Sequence, residues 1–199
     1  MNPKTDVKPG QATPMSAANA TEPRPILVVM GVSGCGKSTV GAALAQALDL
    51  PYLEGDDFHS AENVARMAAG TPLTDADRQG WLGILAQRLA LAAQQNQGLV
   101  LSCSALKQRY RDMLRQGAPN LGLVYLHGDR AVLMQRMSSR GKHYMPSSLL
   151  DSQLQTLEPP GPEEGALAFS VERPVAEIVS VVLAAVAAAT FPPHHKAST

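Results

Sequence analysis

Eight consecutive residues, Gly31-Val32-Ser33-Gly34-Cys35-Gly36-Lys37-Ser38, follow the pattern G-x-x-x-x-G-K-[ST]. Glycines at these spacings let a loop wrap tightly and turn its backbone N–H groups toward phosphate oxygens. The start of the helix that follows adds positive partial charge. Lys37 is expected to reach the β- and γ-phosphates and the Ser38 hydroxyl to bind magnesium. The chemistry implied is binding of ATP with Mg2+ by Gly31, Val32, Ser33, Gly34, Cys35, Gly36, Lys37, Ser38 and the adjoining Thr39. The alternative is a Gly-rich turn with no ligand, but an apolar run before the loop and a helical pattern after it supply the setting the motif requires. Cys35 occupies a variable position and reads as small and tolerated.

A second group, Glu54-Gly55-Asp56-Asp57-Phe58-His59, follows a short strand-like run. In parallel sheets ligands bind beyond the carboxyl ends of the strands, so this acidic cluster is expected to face the phosphate loop. Carboxylates there can orient an acceptor hydroxyl, take its proton and help to hold magnesium. Position in the fold favours Asp56 and Glu54 for these roles. Asp57 reads equally as part of an acidic turn leading into a helix capped by Ser60. His59 either contacts substrate or caps and packs.

These residues need a scaffold, and the hydrophobic pattern supplies one. Ile26 to Met30, Pro51 to Glu54, Leu99 to Cys103, Leu121 to Leu126 and Ala166 to Val171 read as five strands. Between them lie helical patterns: Lys37 to Leu48, with Val40, Leu44 and Leu48 on one face; Thr74 to about Asn96, with Leu82, Leu85, Leu89 and Ala92 on one face; Lys107 to Arg115; Arg130 to Arg140; and Ser147 to Leu157. Pro174 opens the last helix, which runs to about Ala189. Thr74 with Asp77 forms a capping box, satisfying free N–H groups at the start of its helix. Strands alternating with helices predict an α/β fold with a parallel sheet covered on both faces. Residues 26–190 form one domain on this reading. Residues 1–25 are an unstructured lead rich in Pro, Thr and Ala, in which Met15 is an alternative start, and 191–199 are an unstructured tail carrying His194 and His195.

Composition narrows the function classes. Lys plus Arg and Asp plus Glu both total 17, so the formal net charge is zero and no broad nucleic-acid or membrane surface is expected. The most apolar run, Val175 to Ala189, contains Glu177 and Ser180 and falls short of the roughly 20 apolar residues a spanning helix needs. The first 24 residues hold no apolar signal core. Two cysteines, Cys35 and Cys103, are too few for a disulfide framework and read as reduced thiols in a cytoplasmic protein.

Four further segments resemble the gluconate kinase (gluconokinase) family. They are Glu54 to His59; Met67 to Arg78, ending at Trp81-Leu82; Cys103 to Lys107, continuing through Tyr110-Arg111-Asp112; and Arg140-Gly141-Lys142-His143-Tyr144-Met145-Pro146 with Ser152-Gln153 and Thr156 to Pro159. The resemblance spans about Ile26 to Ala189. Departures are mild: Tyr144 stands where Phe is common, and the N-terminal lead is long. It implies ATP-dependent phosphorylation of D-gluconate at the 6-hydroxyl, with D-gluconate and ATP as partners, and a homodimer. The implied architecture is a three-layer P-loop kinase fold, related to shikimate and nucleoside monophosphate kinases, with a central parallel five-stranded sheet and a mobile lid at about 137–148.

By the same resemblance Asp56 binds the acceptor hydroxyl and acts as base, with Lys37 and Arg140 as the other catalytic groups, and Glu54 and Ser38 serve magnesium. Arg66 and Arg78 are both candidates for the substrate carboxylate, since a guanidinium matches carboxylate geometry; each could also be an ordinary surface arginine. Ser104 and Lys107 follow a buried strand at the ligand edge and are candidate substrate contacts, though Lys107 could simply open a helix. No carboxylate ends that strand, which places more weight on Glu54 and Asp56 as the metal-side carboxylates. Arg140 is expected to neutralise charge on the transferred phosphoryl group from the lid, and Arg136 to contact the nucleotide.

Two rival functions follow from the same residues. One is another small-acceptor kinase; shikimate kinases carry a Gly-rich stretch where this chain has Ser104-Ala105-Leu106-Lys107. The other is a nucleotide-binding regulatory module without turnover, against which the intact Lys37, Ser38 and Asp56 argue.

Overall fold

The computed structural model describes residues 23–138 and 147–188. The residues of the lead before Pro23, segment 139–146 of the expected lid (with Arg140) and the tail with His194 and His195 lie outside the described residues.

Five parallel strands form the sheet: β1 (Ile26–Met30), β2 (Tyr52–Glu54), β3 (Leu99–Ser102), β4 (Gly122–His127) and β5 (Leu167–Ser170). Their order is β2-β3-β1-β4-β5, with β1 hydrogen-bonded to β3 on one side and β4 on the other. The chain therefore changes direction across the sheet beside β1, and a crevice opens at the carboxyl ends of the strands there. The expected parallel α/β fold is present.

Among the described residues, seven helices accompany the sheet: α1 (Lys37–Leu48), α2 (Ala61–Ala68), α3 (Asp75–Gln94), α4 (Gln108–Gly117), α5 (Arg130–Ser138), α6 (Ser147–Thr156) and α7 (Val175–Ala187). Side chains alternate between two cores, as the strand period of two demands. Leu27, Val29, Val100, Val124 and Leu126 pack with Val40 and Leu44 of α1, Leu133 of α5, Leu150 of α6 and Ile178 and Val182 of α7. Val28, Met30, Leu99, Leu101, Leu123 and Tyr125 pack on the other face with Trp81, Leu82, Leu85 and Leu89 of α3 and Tyr110 and Leu114 of α4.

Thr74 and Asp77 close the expected capping box at α3, and Ser60 caps α2 by accepting the Asn63 N–H. Pro174 is the cap of α7 and the helix proper starts one residue later; the extended ψ of 139° keeps Pro174 out of the helix. Arg24 and Pro25, read from sequence as lead, are bound to the domain edge: the Arg24 N–H donates to Asn96 Oδ1 at 2.8 Å, and the Pro25 carbonyl accepts the Leu99 N–H.

A buried arginine shapes the loop after β3. Arg111 of α4 is 1% exposed and pairs with Glu164. It also donates to the carbonyls of Ala105, Leu106 and Glu158. Ala105 adopts φ +44°, a left-handed conformation that costs a non-glycine residue energy and persists only where neighbours hold it. Arg111 is the neighbour that does so.

Candidate active site

The phosphate loop joins β1 to α1 at the crevice. Gly31 has φ +140°, and a Cβ there would lie 2.4 Å from the Leu126 carbonyl oxygen. Gly36 has φ +94° with nothing crowding it, so its requirement is conformational alone. The helices α2 and α3 use Ser60 and Thr74 as side-chain caps, whereas α1 is preceded by Gly36, which supplies no side-chain cap, and has no acidic residue in its first turn. Its leading N–H groups therefore remain available to an anion.

Lys37 lies in this loop, with Nζ 3.2 Å from the Val32 carbonyl oxygen. Ser38 and Thr39 are exposed. Cys35 is buried behind the loop against Gly31, so its thiol does not face the phosphate side. The Gly31 N–H donates to the Ser104 carbonyl at 3.3 Å, which ties the phosphate loop to the loop after β3.

Glu54 ends β2 opposite Ser102 of β3. Its carboxylate accepts from Tyr52 Oη at 2.7 Å and from the Ser102 hydroxyl. Burial by itself would raise its pKa. The hydrogen bonds from Ser102, Ser38 and Tyr52 and the charge of Lys37 outweigh that and hold Glu54 below the usual glutamate range. Tyr52 is pushed up to about 12, chiefly by burial. Its ring fits because residue 41 is glycine: a Cβ there would come within 2.7 Å of the ring.

Asp56 lies in the 3-10 turn Gly55–Phe58 with its side chain 64% exposed, 4.0 Å from His59 Nε2. The His59 side chain is 4% exposed and stacks on Trp81 with ring centroids 4.2 Å apart. Burial lowers its pKa, with the Asp56 charge opposing. Trp81 Nε1 donates to the Gly55 carbonyl at 2.7 Å, so α3 anchors the turn that carries Asp56. Packing is thus the observed role of His59. Beneath the site, burial drives the Cys103 thiol up to about 12, with Asp56, Lys37 and Glu54 all near enough to act on it electrostatically. Glu54 pairs in register with Ser102 and Gly55 lies against the Ser102 carbonyl, so the turn that carries Asp56 starts at the end of β3.

The two arginine candidates separate. Arg66, 42% exposed on its side chain, pairs with Glu62 at 3.1 Å and Asp77 at 3.4 Å. Arg78 closes the Leu73-Thr74 turn through their carbonyls and lines a cavity with Met67, Leu73, Leu149, Ser152 and Gln153. Lys107 is bound to Asp75 at 3.0 Å, in a cluster with Arg109 and Tyr110, and its ammonium is thereby engaged on the α3–α4 side. Ser104 presents its carbonyl to Gly31. Arg136 donates to the Val171 carbonyl in the loop after β5. Arg140 lies outside the described residues.

Three contributors received no role in the sequence reading, Gln153 among them although it stands in one of the segments that carry the resemblance. Tyr52 sits two residues before Glu54, the strand spacing that shares a face. Ser102 is a fully buried hydroxyl within an otherwise apolar strand at the ligand edge, and that mismatch was its signal. Gln153 accepts the Ser33 N–H at 2.7 Å, and nothing local to its helix announces this.

Among the described residues, no three His, Cys, Asp or Glu side chains gather into a metal cage. An exposed Ser38 hydroxyl beside an ionised Glu54 fits a magnesium ion, which takes few protein ligands and keeps its waters and substrate phosphates.

A family model described as an AAA domain matches residues 26–160. The thermoresistant gluconokinase of Escherichia coli K12 is 40% identical over 156 residues, 78% of this chain and 89% of that protein. The crystal structure of a gluconokinase from Sinorhizobium meliloti superposes with a TM-score of 0.76 at 49% identity, covering 84% of this chain and 94% of the other. A sugar kinase from Janibacter superposes with a TM-score of 0.80 at 41% identity, covering 87% and 100%.

Proposed function

This chain belongs to the gluconokinase family, and on that premise we propose that Lys37, Glu54 and Asp56 carry the phosphoryl transfer. The enzyme phosphorylates D-gluconate at its 6-hydroxyl with ATP, giving 6-phospho-D-gluconate and ADP.

In this reading Asp56 takes the proton of the 6-hydroxyl as its oxygen bonds to the γ-phosphorus, and the bond from that phosphorus to the ADP oxygen breaks. Lys37 and the loop N–H groups from Gly31 to Thr39 bind the phosphates as charge builds on them. Magnesium would be held by Ser38 and Glu54 and would neutralise the phosphate oxygens. Arg78 clamps the substrate carboxylate, Arg136 borders the nucleotide, and Arg140 closes over the phosphoryl group. Ser104, Lys107, His59 and Arg66 shape the acceptor side, with Lys107, His59 and Arg66 acting through the contacts described above. A cytoplasmic homodimer with a lid at about 137–148 completes the proposal. No helix among the described residues is long and apolar enough to cross a membrane.

The observation that carries these assignments is the hydrogen-bonded Glu54 carboxylate, kept ionised beside Ser38 and Lys37. ADP release measured over a panel of sugar acids, sugars, shikimate and nucleoside monophosphates tests the reading. Gluconate is expected to be the preferred acceptor, in a reaction that chelation of magnesium stops. Turnover that survives Glu54→Gln at ordinary magnesium would overturn the assigned role of Glu54.

A further inference from the structure

One polar contact at the site belongs to none of the roles above. Gly31 and Cys35 give their N–H groups to backbone carbonyls, but Ser33, the third residue of the phosphate loop, gives its N–H to a side chain far away in sequence. The acceptor is Gln153 Oε1 on α6, at 2.7 Å. On the same helix Leu149, Ser152 and Gln153, at spacings of three and four, share one face and line the cavity that Arg78 also lines. Leu150 of α6 is fully buried in the core, so the helix that presents this face is anchored.

A carboxamide is two-ended. Its oxygen accepts and its nitrogen carries two donors. A backbone N–H can meet only the oxygen, so with Oε1 on Ser33 the orientation is set and Nε2 is the end left to serve other partners. An acid with a chain of hydroxyl groups offers acceptors at every carbon. A half-buried amide donor beside an arginine suits such a ligand, because a polar group left unpaired in a partly dehydrated site is costly.

We propose that Gln153 is a specificity-determining residue that joins the two substrate sites. Its Nε2 donates to gluconate in the cavity lined by Arg78, while its Oε1 holds Ser33 of the phosphate loop. The proposal rests on gluconate being the acceptor. Each substrate then steadies the amide in the orientation the other uses, so nucleotide and gluconate bind with positive coupling. Such coupling is reciprocal.

The test uses the full chain and two variants. Gln153→Met keeps length and helix preference but has neither polar end; Gln153→Asn keeps the amide but falls one methylene short. Gluconate affinity is measured by calorimetry with and without ADP, alongside kcat/KM for gluconate and KM for ATP. The unaltered enzyme is expected to bind gluconate more tightly with ADP present. In both variants that difference disappears, and kcat/KM for gluconate falls about 10-fold or more, mostly through KM. A melting temperature close to that of the unaltered chain shows that the fold is kept; if Gln153→Met fails this check, Gln153→Asn decides. Variants that keep the coupling and the kcat/KM of an active parent overturn the role of Gln153 alone. A parent chain inert toward gluconate overturns both this inference and the assigned function.

Discussion

Ser102 lies directly opposite Glu54 in the register of β3 against β2, and its hydroxyl donates to the Glu54 carboxylate. The strand that ends without a carboxylate thus helps to hold one supplied by its neighbour. Tyr52 completes the arrangement from the same strand as Glu54.

A pH dependence follows. Burial alone would raise the Glu54 pKa, and the hydrogen bonds from Ser102, Ser38 and Tyr52 bring it below 4.5. Removing donors by Ser102→Ala or Tyr52→Phe lets burial prevail, so the acid limb of kcat/KM should move to higher pH and the magnesium requirement should rise. The stability sign agrees. A depressed folded pKa stabilises above the ordinary value and is lost as pH falls through the folded one, so the variants should unfold at a higher pH during acid titration. Unmoved acid limbs in both variants would remove Glu54 from the metal side.

Lys37→Ala should abolish measurable turnover and leave the fold intact. Nζ meets the Val32 carbonyl in the phosphate loop, and Lys37 is not among the buried core residues, so no core contact is lost. Circular dichroism and the kinase assay on one preparation check both halves.

Asp56→Asn should cut kcat by about 10² or more with ATP affinity largely kept, since the amide keeps the shape and loses the base. Asp57→Asn, exposed in the same turn, should be mild. The reverse ranking would assign the proton transfer to Asp57.

Arg78→Ala should reduce kcat/KM for gluconate far more than for glucose, which has a comparable hydroxyl but no carboxylate. The unaltered enzyme is expected to prefer gluconate by about 10³ or more, by analogy with sites built around a polar group. Arg66→Ala removes exposed ion pairs and should change stability by no more than about 1 kcal/mol and the preference far less than Arg78→Ala does. Equal turnover of the two sugars by the unaltered enzyme would eliminate the carboxylate clamp.

Glu164→Ala should destabilise by about 3–5 kcal/mol, because it strands Arg111 and Arg115 in the interior. Urea unfolding gives the number. Since Arg111 also braces the Ser104-Ala105-Leu106 loop, kcat should fall in this variant below the temperature at which it melts.

The phosphate loop, the order of the five strands along the chain and the family were legible in the residues alone. The reason is locality. A loop that binds through its own N–H groups needs only its glycines, Lys37, Ser38 and the helix that follows, all contiguous. Alternating apolar residues likewise assign the two faces of each strand before any partner is known. What only the tertiary structure decided was which side chains meet. Glu54 finds Ser102 through strand register, and Ser33 finds Gln153 because Leu150 packs α6 into the core face it shares with α1. Lys107 and Arg66, attractive as substrate contacts from their sequence positions, are engaged by Asp75, Glu62 and Asp77. A charged side chain pairs with whatever opposite charge the fold brings within about 4 Å, and residues such as Lys107 and Asp75, 32 positions apart, carry no local trace of that encounter.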